Sequence, residues 1–476
     1  MIGLLDIAER ASSGPRMTEN EWNMGLFKKM QELSKRYNLK ISTPEKFYEV
    51  DNTYADSIFE AAVDFLSEMG VYCVSRNRVI EFTEEEVREA AREAPAQVPV
   101  GAGRDYRVLR SRETEDNSPP SILAGGHSAW SEDLIPLPII VREMVRIPRV
   151  DALECFNFVK IDGREVNNPA ITAYAARRAV ERVREGIRKA GRPGLAIAYY
   201  PILTDTGTLI APIDPERGIR STDGLLLSVL PDMKVEMSMI AASIVYDELG
   251  SFRHNGSTAG WARGFCGGWE GAVIEATCKV LAGWMVYRDS TAYTPGVELG
   301  MEAHTVEGVR VEERPPPFSW RNFAVARALR RHGSFVFFSS ATGLLGPLDT
   351  EQEKRLLSIA LASISETVQG FNLHFLWTPP PTTITWGIEV SDAALKTRMK
   401  LADLEELGKR IVRERLRGPT TIWNDPRQLL YQDPERFYRS LRWSYDYVMQ
   451  RPTKEFLEVK RGAKKYLEDL GVQFAS

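Results

Sequence analysis

From about Val98 onward, short apolar runs alternate with helical stretches, and this alternation constrains the chain more than any other feature. Pro120 to Ala124 reads as a strand, followed by Gly125-Gly126. Thr172 to Ala190 reads as a long helix rich in Ala and Arg. Leu195 to Ala198 is an apolar run set between Gly191-Arg192-Pro193-Gly194 and Tyr199-Tyr200-Pro201. Leu225 to Leu230, Val235 to Val245 and Ser334 to Phe338 continue the pattern, and Ala152 to Ile161 reads as a helix end and a strand. Strand–helix alternation over roughly three hundred residues argues for a parallel sheet, open or closed. No GxGxxG follows any candidate strand. That lowers the case for an open dinucleotide-binding sheet. The expected fold class is therefore α/β, with a closed barrel favoured over an open sheet.

The flanks differ. Thr18 and Glu21, then Thr83 and Glu86, have the spacing of capping boxes. They predict helices over 22–37 and 86–94, the second stopped by Pro95. Ala55 to Met69 carries one apolar stripe, and Val71 to Val74 reads as a short strand. Ser391 to Arg415 reads as one long helix, 434–447 as an aromatic helix, and a final helix follows Thr453 and ends at Leu470-Gly471. The expected organisation is a helical extension over 1–103, a barrel over 104–420 and C-terminal helices over 421–476.

Charge and cysteines exclude several classes. A formal net charge of −4 favours neither nucleic acid nor an anionic membrane. No apolar run is long enough to span a membrane, and the N-terminus lacks the basic start and apolar core of a signal peptide. The four cysteines form no CxxC pair, and the five histidines form no HxH, HExxH or HxxxH. No metal site is expected, and the expected location is cytoplasmic.

A few positions attract chemical interest. His127 sits in Gly125-Gly126-His127-Ser128 after a candidate strand, where it reads either as a turn or as a site residue. Gly264, Gly267, Gly268 and Gly271 surround Trp269 and Glu270, as either a tight turn or the start of a ligand-facing helix. Tyr199, Tyr200, Trp261, Phe265 and Trp269 lie near candidate strand ends. They read either as core or as a cage for a cation, at about 0.5–2 kcal/mol per contact.

The order of several short motifs resembles the monomethylamine:corrinoid-protein methyltransferases across nearly the whole chain. These motifs are Thr18-Glu19-Asn20-Glu21-Trp22, Glu68 to Cys73, Gly101-Ala102-Gly103-Arg104-Asp105, Ser131-Glu132-Asp133, Gly191-Arg192-Pro193-Gly194, Thr222-Asp223, Gly267-Gly268-x-Glu270 and Gly462 to Gly471. The resemblance implies a (β/α)8 TIM barrel, a homo-oligomer and methyl transfer from a small methylated substrate to the cobalt of a partner corrinoid protein. It implies no tightly bound cofactor, the corrinoid being carried by the partner. In the family, pyrrolysine follows the Gly-Arg-Pro-Gly motif at a strand end. Here that position is Ala198, or Tyr199 if the turn is shifted, so this chain is expected to be a member without pyrrolysine. Family acids near pyrrolysine correspond to Leu226 and about Ser257. Asp223 and Glu270 match family positions and are the expected catalytic residues. Ala198, Tyr199, Tyr200, Trp261, Trp269 and His127 are the expected substrate-binding residues. The expected substrate is a small methylated amine or onium compound; a neutral amine leaves badly, so a barrel without pyrrolysine suits best an onium donor that already carries a full positive charge. The alternatives are a barrel that has lost methyl transfer and binds a metabolite or partner, or a demethylase of a neutral methoxy compound.

Overall fold

The computed structural model describes residues 2–40, 48, 50–125, 129–130, 135–201, 203–230, 232–255, 266–294, 320–341, 352–375, 380–416 and 441–474. Eight parallel strands close into a barrel. They are β1 (Ile122–Gly125), β2 (Ala152–Glu154), β3 (Ala196–Tyr199), β4 (Gly224–Leu227), β5 (Phe252–Asn255), β6 (Asp289–Thr294), β7 (Val336–Ser340) and β8 (Asn372–Phe375). Each strand pairs with its sequence neighbours, and β8 pairs with β1 to complete the ring.

Alternation along each strand sorts side chains between two cores. Ile122, Leu153, Ile197, Tyr199, Leu225, Leu227, Phe337, Leu373 and Phe375 join the large core shared with the outer helices. Leu123, Ala152, Ala196, Ala198, Phe252, Val336 and Phe338 form a smaller, separate core inside the ring. Val98, Val100 and Leu109 belong to that inner core. They sit on an antiparallel hairpin, 97–100 against 107–110, which plugs the N-terminal end of the barrel. The hairpin is held from below: Gly101 N donates to Thr222 O at 2.9 Å, just ahead of β4.

The outer layer contains α5 (Leu137–Val145), α6 (Pro169–Lys189), α8 (Met237–Leu249), α9 (Trp269–Tyr287), α10 (Trp320–Arg330), α11 (Gln352–Val368) and α12 (Pro381–Lys396), with the short α7 (Thr206–Ile210) before α8. The N-terminal helices are α1 (Leu4–Ser13), α2 (Glu19–Arg36), α3 (Asn52–Glu68) and α4 (Glu84–Glu93). They pack on α8, α9 and α10. Both capping boxes form as expected, with Thr18 and Thr83 accepting from the backbone of Glu21 and Glu86. The expected strand near Val71 pairs in parallel with Lys234–Val235, and Trp22 Nε1 donates to Asp232 O at 2.8 Å. These contacts tie the extension to the barrel.

Two expectations are corrected. Ser391 to Arg415 is not one helix: α12 ends at Lys396 and α13 spans Leu401–Glu414. Arg398 takes φ +51 between them, and Asp403 accepts the Lys400 N–H to start the second helix. The 434–447 segment lies outside the described residues up to 440, and Tyr445–Asp446 is a strand paired with Arg451–Pro452. The final helix, α14 (Lys454–Asp469), begins at a Thr453 cap as expected.

Candidate active site

The interior of the barrel carries an unexpected polar cluster. Glu154 closes β2, His254 lies on β5, Thr291 on β6 and His374 on β8, each 1% exposed or less. His374 Nε2 donates to Glu154 Oε2 at 3.0 Å. His254 Nδ1 and the Thr291 hydroxyl are hydrogen-bonded. The two imidazole rings meet edge to face, with centroids 5.8 Å apart, and Phe338 packs edge to face on His254 at 5.7 Å. Pairing places Glu154 beside Ala198 and Leu226 beside His254. Four strands thus bring two imidazoles, a carboxylate and a hydroxyl together in the barrel interior, beside Ala198, Leu226 and Phe338. Barrel chemistry is housed toward the C-terminal ends of the strands, where Glu154, His254 and His374 lie.

Deeper on β6, two residues before Thr291, Asp289 is 5% exposed. Neither of its carboxylate oxygens has a hydrogen-bond partner among the described residues. Burial pushes this carboxyl well above the usual range, and Arg253 opposes the shift only partly.

The expected site residues are not gathered in one place. Ala198 faces the barrel interior, as expected. Tyr199 does not: it points into the outer core, and its hydroxyl donates to Thr208 O at 2.9 Å. Burial holds that phenol well above its ordinary pKa. Tyr200 is half-buried, and its carbonyl accepts Asn157 Nδ2 at 2.9 Å. Trp269 opens α9 and packs with Cys266 and Ala272, in a cluster separate from both barrel cores. Glu270 is in the same first turn. His127 and Trp261 lie outside the described residues.

Asp223 needs the clearest correction, because it lies at the floor rather than the mouth. It immediately precedes β4, is fully buried, and accepts from Ile197 N at 2.9 Å and Arg220 N at 2.7 Å. It also pairs with Arg184, whose guanidinium burial pulls downward while Asp223 opposes the shift. A carboxylate spent on two backbone amides and a buried arginine joins β3 to β4 and has little left for a substrate.

Three of the motifs that carried the resemblance meet at this same floor. Arg192 donates to Asp105 Oδ1 at 2.9 Å, and Gly194 N donates to Asp105 Oδ2 at 3.1 Å. Ala102 N donates to Gly194 O at 2.9 Å, and Arg104 reaches Gly191 O. Gly-Ala-Gly-Arg-Asp, Gly-Arg-Pro-Gly and Thr-Asp are therefore one docked assembly that builds the barrel's base. Sequence reasoning missed Glu154, His254, Thr291 and His374, having weighed His254 and His374 only by pair spacing. The available signal was period-two alternation: Asn372 and His374 face in while Leu373 and Phe375 face out.

The sequence pattern of the family described as monomethylamine methyltransferase MtmB matches residues 2–296. Monomethylamine methyltransferase MtmB2 of Methanosarcina acetivorans is 23% identical over 489 residues, 98% of each chain. MtmB of Methanosarcina mazei is 22% identical over 496 residues, again 98% of each. The crystal structure of the Methanosarcina barkeri monomethylamine methyltransferase superposes with a TM-score of 0.81 at 20% identity, covering 99% of this chain and 98% of that one. The crystal structure of the hydroxylamine MtmB complex superposes with the same TM-score of 0.81. A closed parallel barrel with ionisable groups inside, matched end to end by methyltransferases, defines a barrel methyltransferase. The chain belongs to the monomethylamine methyltransferase family.

Proposed function

We propose that this protein moves a methyl group from a small methylated compound to the cobalt of a separate corrinoid protein. The supporting observation is a likeness that runs along 98% of both chains to relatives named monomethylamine methyltransferases. A Co(I) corrinoid, carried by the partner, would supply the nucleophile. The barrel would then hold the donor so that its methyl group points outward and its leaving atom inward, and would exclude water. In this reading Ala198 occupies the pyrrolysine position, because Ala198 faces the interior while Tyr199 faces the helices. The chain then works without an adduct-forming residue.

The aromatic cage expected for an onium donor finds no support at Tyr199 or Trp269, which lie in different cores. The reading keeps a homo-oligomer and a cytoplasmic location, open to sedimentation and cell fractionation. Among the described residues no helix is long and apolar enough to cross a membrane.

The test mixes the purified protein with a reduced corrinoid protein and a panel of methylated amines, onium compounds and methyl ethers. Growth of the methylated corrinoid's visible absorbance with at least one donor supports the proposal. No growth with any donor, from protein shown to be folded, overturns it.

A further inference from the structure

Methyl transfer to a reduced corrinoid needs no base, because the nucleophile already has its electron pair. The difficulty lies with the leaving atom. A quaternary ammonium or sulfonium group departs neutral and needs no proton. An ether oxygen or an uncharged amine departs as an anion unless a proton reaches it during bond breaking. A positioned imidazole can supply that proton, an effect worth about 10²–10⁴-fold in rate.

The interior cluster has the parts for this task. His374 is oriented by the Glu154 carboxylate at 3.0 Å. Such a partner favours the charged imidazolium over the neutral ring. The flanking strands face His374 with Leu123 from β1 and Ser340 from β7. Among the described residues the titratable groups facing it are Glu154 from β2 and His254 from β5. His254 is itself held by Thr291 and Phe338.

We infer that His374 is the acid that protonates the leaving atom of the methyl donor, with Glu154 as its positioning residue, and that the donor is an uncharged methyl ether or methylamine. This inference rests on the methyl-transfer reading above. As the methyl carbon bonds to cobalt, its bond to the oxygen or nitrogen breaks. The electron pair of that bond stays on the heteroatom, which takes the imidazolium proton and leaves as a neutral alcohol or amine. The electron pair of the new bond comes from Co(I), and His374 regains its proton from solvent.

The experiment uses the full chain, cobalamin reduced to Co(I) as acceptor, and three donors: methyl phenyl ether, methylamine and tetramethylammonium. Wild-type protein should methylate the acceptor from the ether or the amine, and the two arms distinguish oxygen from nitrogen as leaving atom. The rate should fall as pH rises through the imidazole range. His374→Gln should lower that rate by about 10²-fold or more, with little change in KM. Glu154→Gln should move the pH profile downward by weakening the imidazolium. Thermal melting checks that both variants fold, and if His374→Gln does not, the Glu154→Gln pH profile alone decides. The inference is overturned if tetramethylammonium is the only donor accepted, if folded His374→Gln keeps the wild-type rate, or if Glu154→Gln leaves the profile in place. Failure of the wild-type protein with every donor, repeated with a reduced corrinoid protein as acceptor, removes the methyl-transfer reading itself, a result distinct from an active enzyme indifferent to His374.

Discussion

The Asp223 carboxylate accepts the backbone N–H of Ile197 at 2.9 Å, joining two neighbouring strands at the base of the barrel. The same carboxylate pairs with the buried Arg184. Removing one partner of a buried ion pair strands the other and costs about 3–5 kcal/mol. Asp223→Ala should therefore lower the melting temperature sharply. Whatever protein still folds at low temperature should keep wild-type turnover per folded molecule. Lost turnover in a variant of wild-type stability would instead make Asp223 catalytic.

Tyr199 presents its hydroxyl to Thr208 O in the outer core. Tyr199→Phe should cost about 1–2 kcal/mol, since a buried carbonyl loses its donor. Neither kcat nor KM for the donor should change. Denaturant unfolding and steady-state kinetics on the same preparation check both halves. A raised KM at unchanged stability would put the ring back at the substrate.

Glu366 on α11 is buried beside Ser339, and burial pushes its carboxyl up to about 8. The unfolded carboxyl titrates near 4.5. Between these values the folded state holds a proton that the unfolded state has released. Stability is therefore highest below about pH 4.5, as far as this group is concerned, and declines as pH rises toward 8. The raised carboxyl of Asp289 acts in the same direction. Glu366→Gln should flatten part of this decline and gain roughly 2–4 kcal/mol over wild type at pH 8. Denaturant midpoints from pH 5 to pH 9 measure it, and parallel curves for the two proteins would refute the assignment.

Two glycines of one motif should behave differently. A Cβ on Gly194 would stand 2.0 Å from Ala102 O, whereas one on Gly191 would meet nothing nearer than the Arg104 guanidinium at 3.7 Å. Gly194→Ala should cost about 1–3 kcal/mol or more, because backbone must move. Gly191→Ala should cost about 1 kcal/mol, the strain of a side chain at φ +75. Equal melting temperatures for the two variants would show that the motifs do not dock as described.

Much of the fold was legible locally. The capping boxes at Thr18 and Thr83, the apolar strands near Leu123, Ile197 and Leu225, and the long helix after Asn168 follow from propensity and periodicity. The strands β5, β6 and β8 were not legible, and they are the ones that carry His254, Thr291 and His374. The reason is physical: Phe-Arg-His-Asn and Asn-Leu-His-Phe place polar groups where a plain barrel would bury apolar ones, so neither reads as an apolar run. The break at Arg398 was hidden too, since nothing local forbids a helix there.

The order of its motifs by itself determined the family of this chain, and the alternation of strands and helices determined that its core is a parallel sheet. Both are written in residues near one another along the chain or in short patterns that survive at low identity. Which of those residues do chemistry was decided by tertiary structure alone. Ring closure carries Glu154 of β2 to His374 of β8, 220 positions apart. The strand pleat turns Ala198 inward and Tyr199 outward, and the Gly-Arg-Pro-Gly and Thr-Asp motifs meet only because β3 and β4 lie side by side. A contact between distant strands depends on how the sheet closes, and no local pattern of residue types encodes that closure.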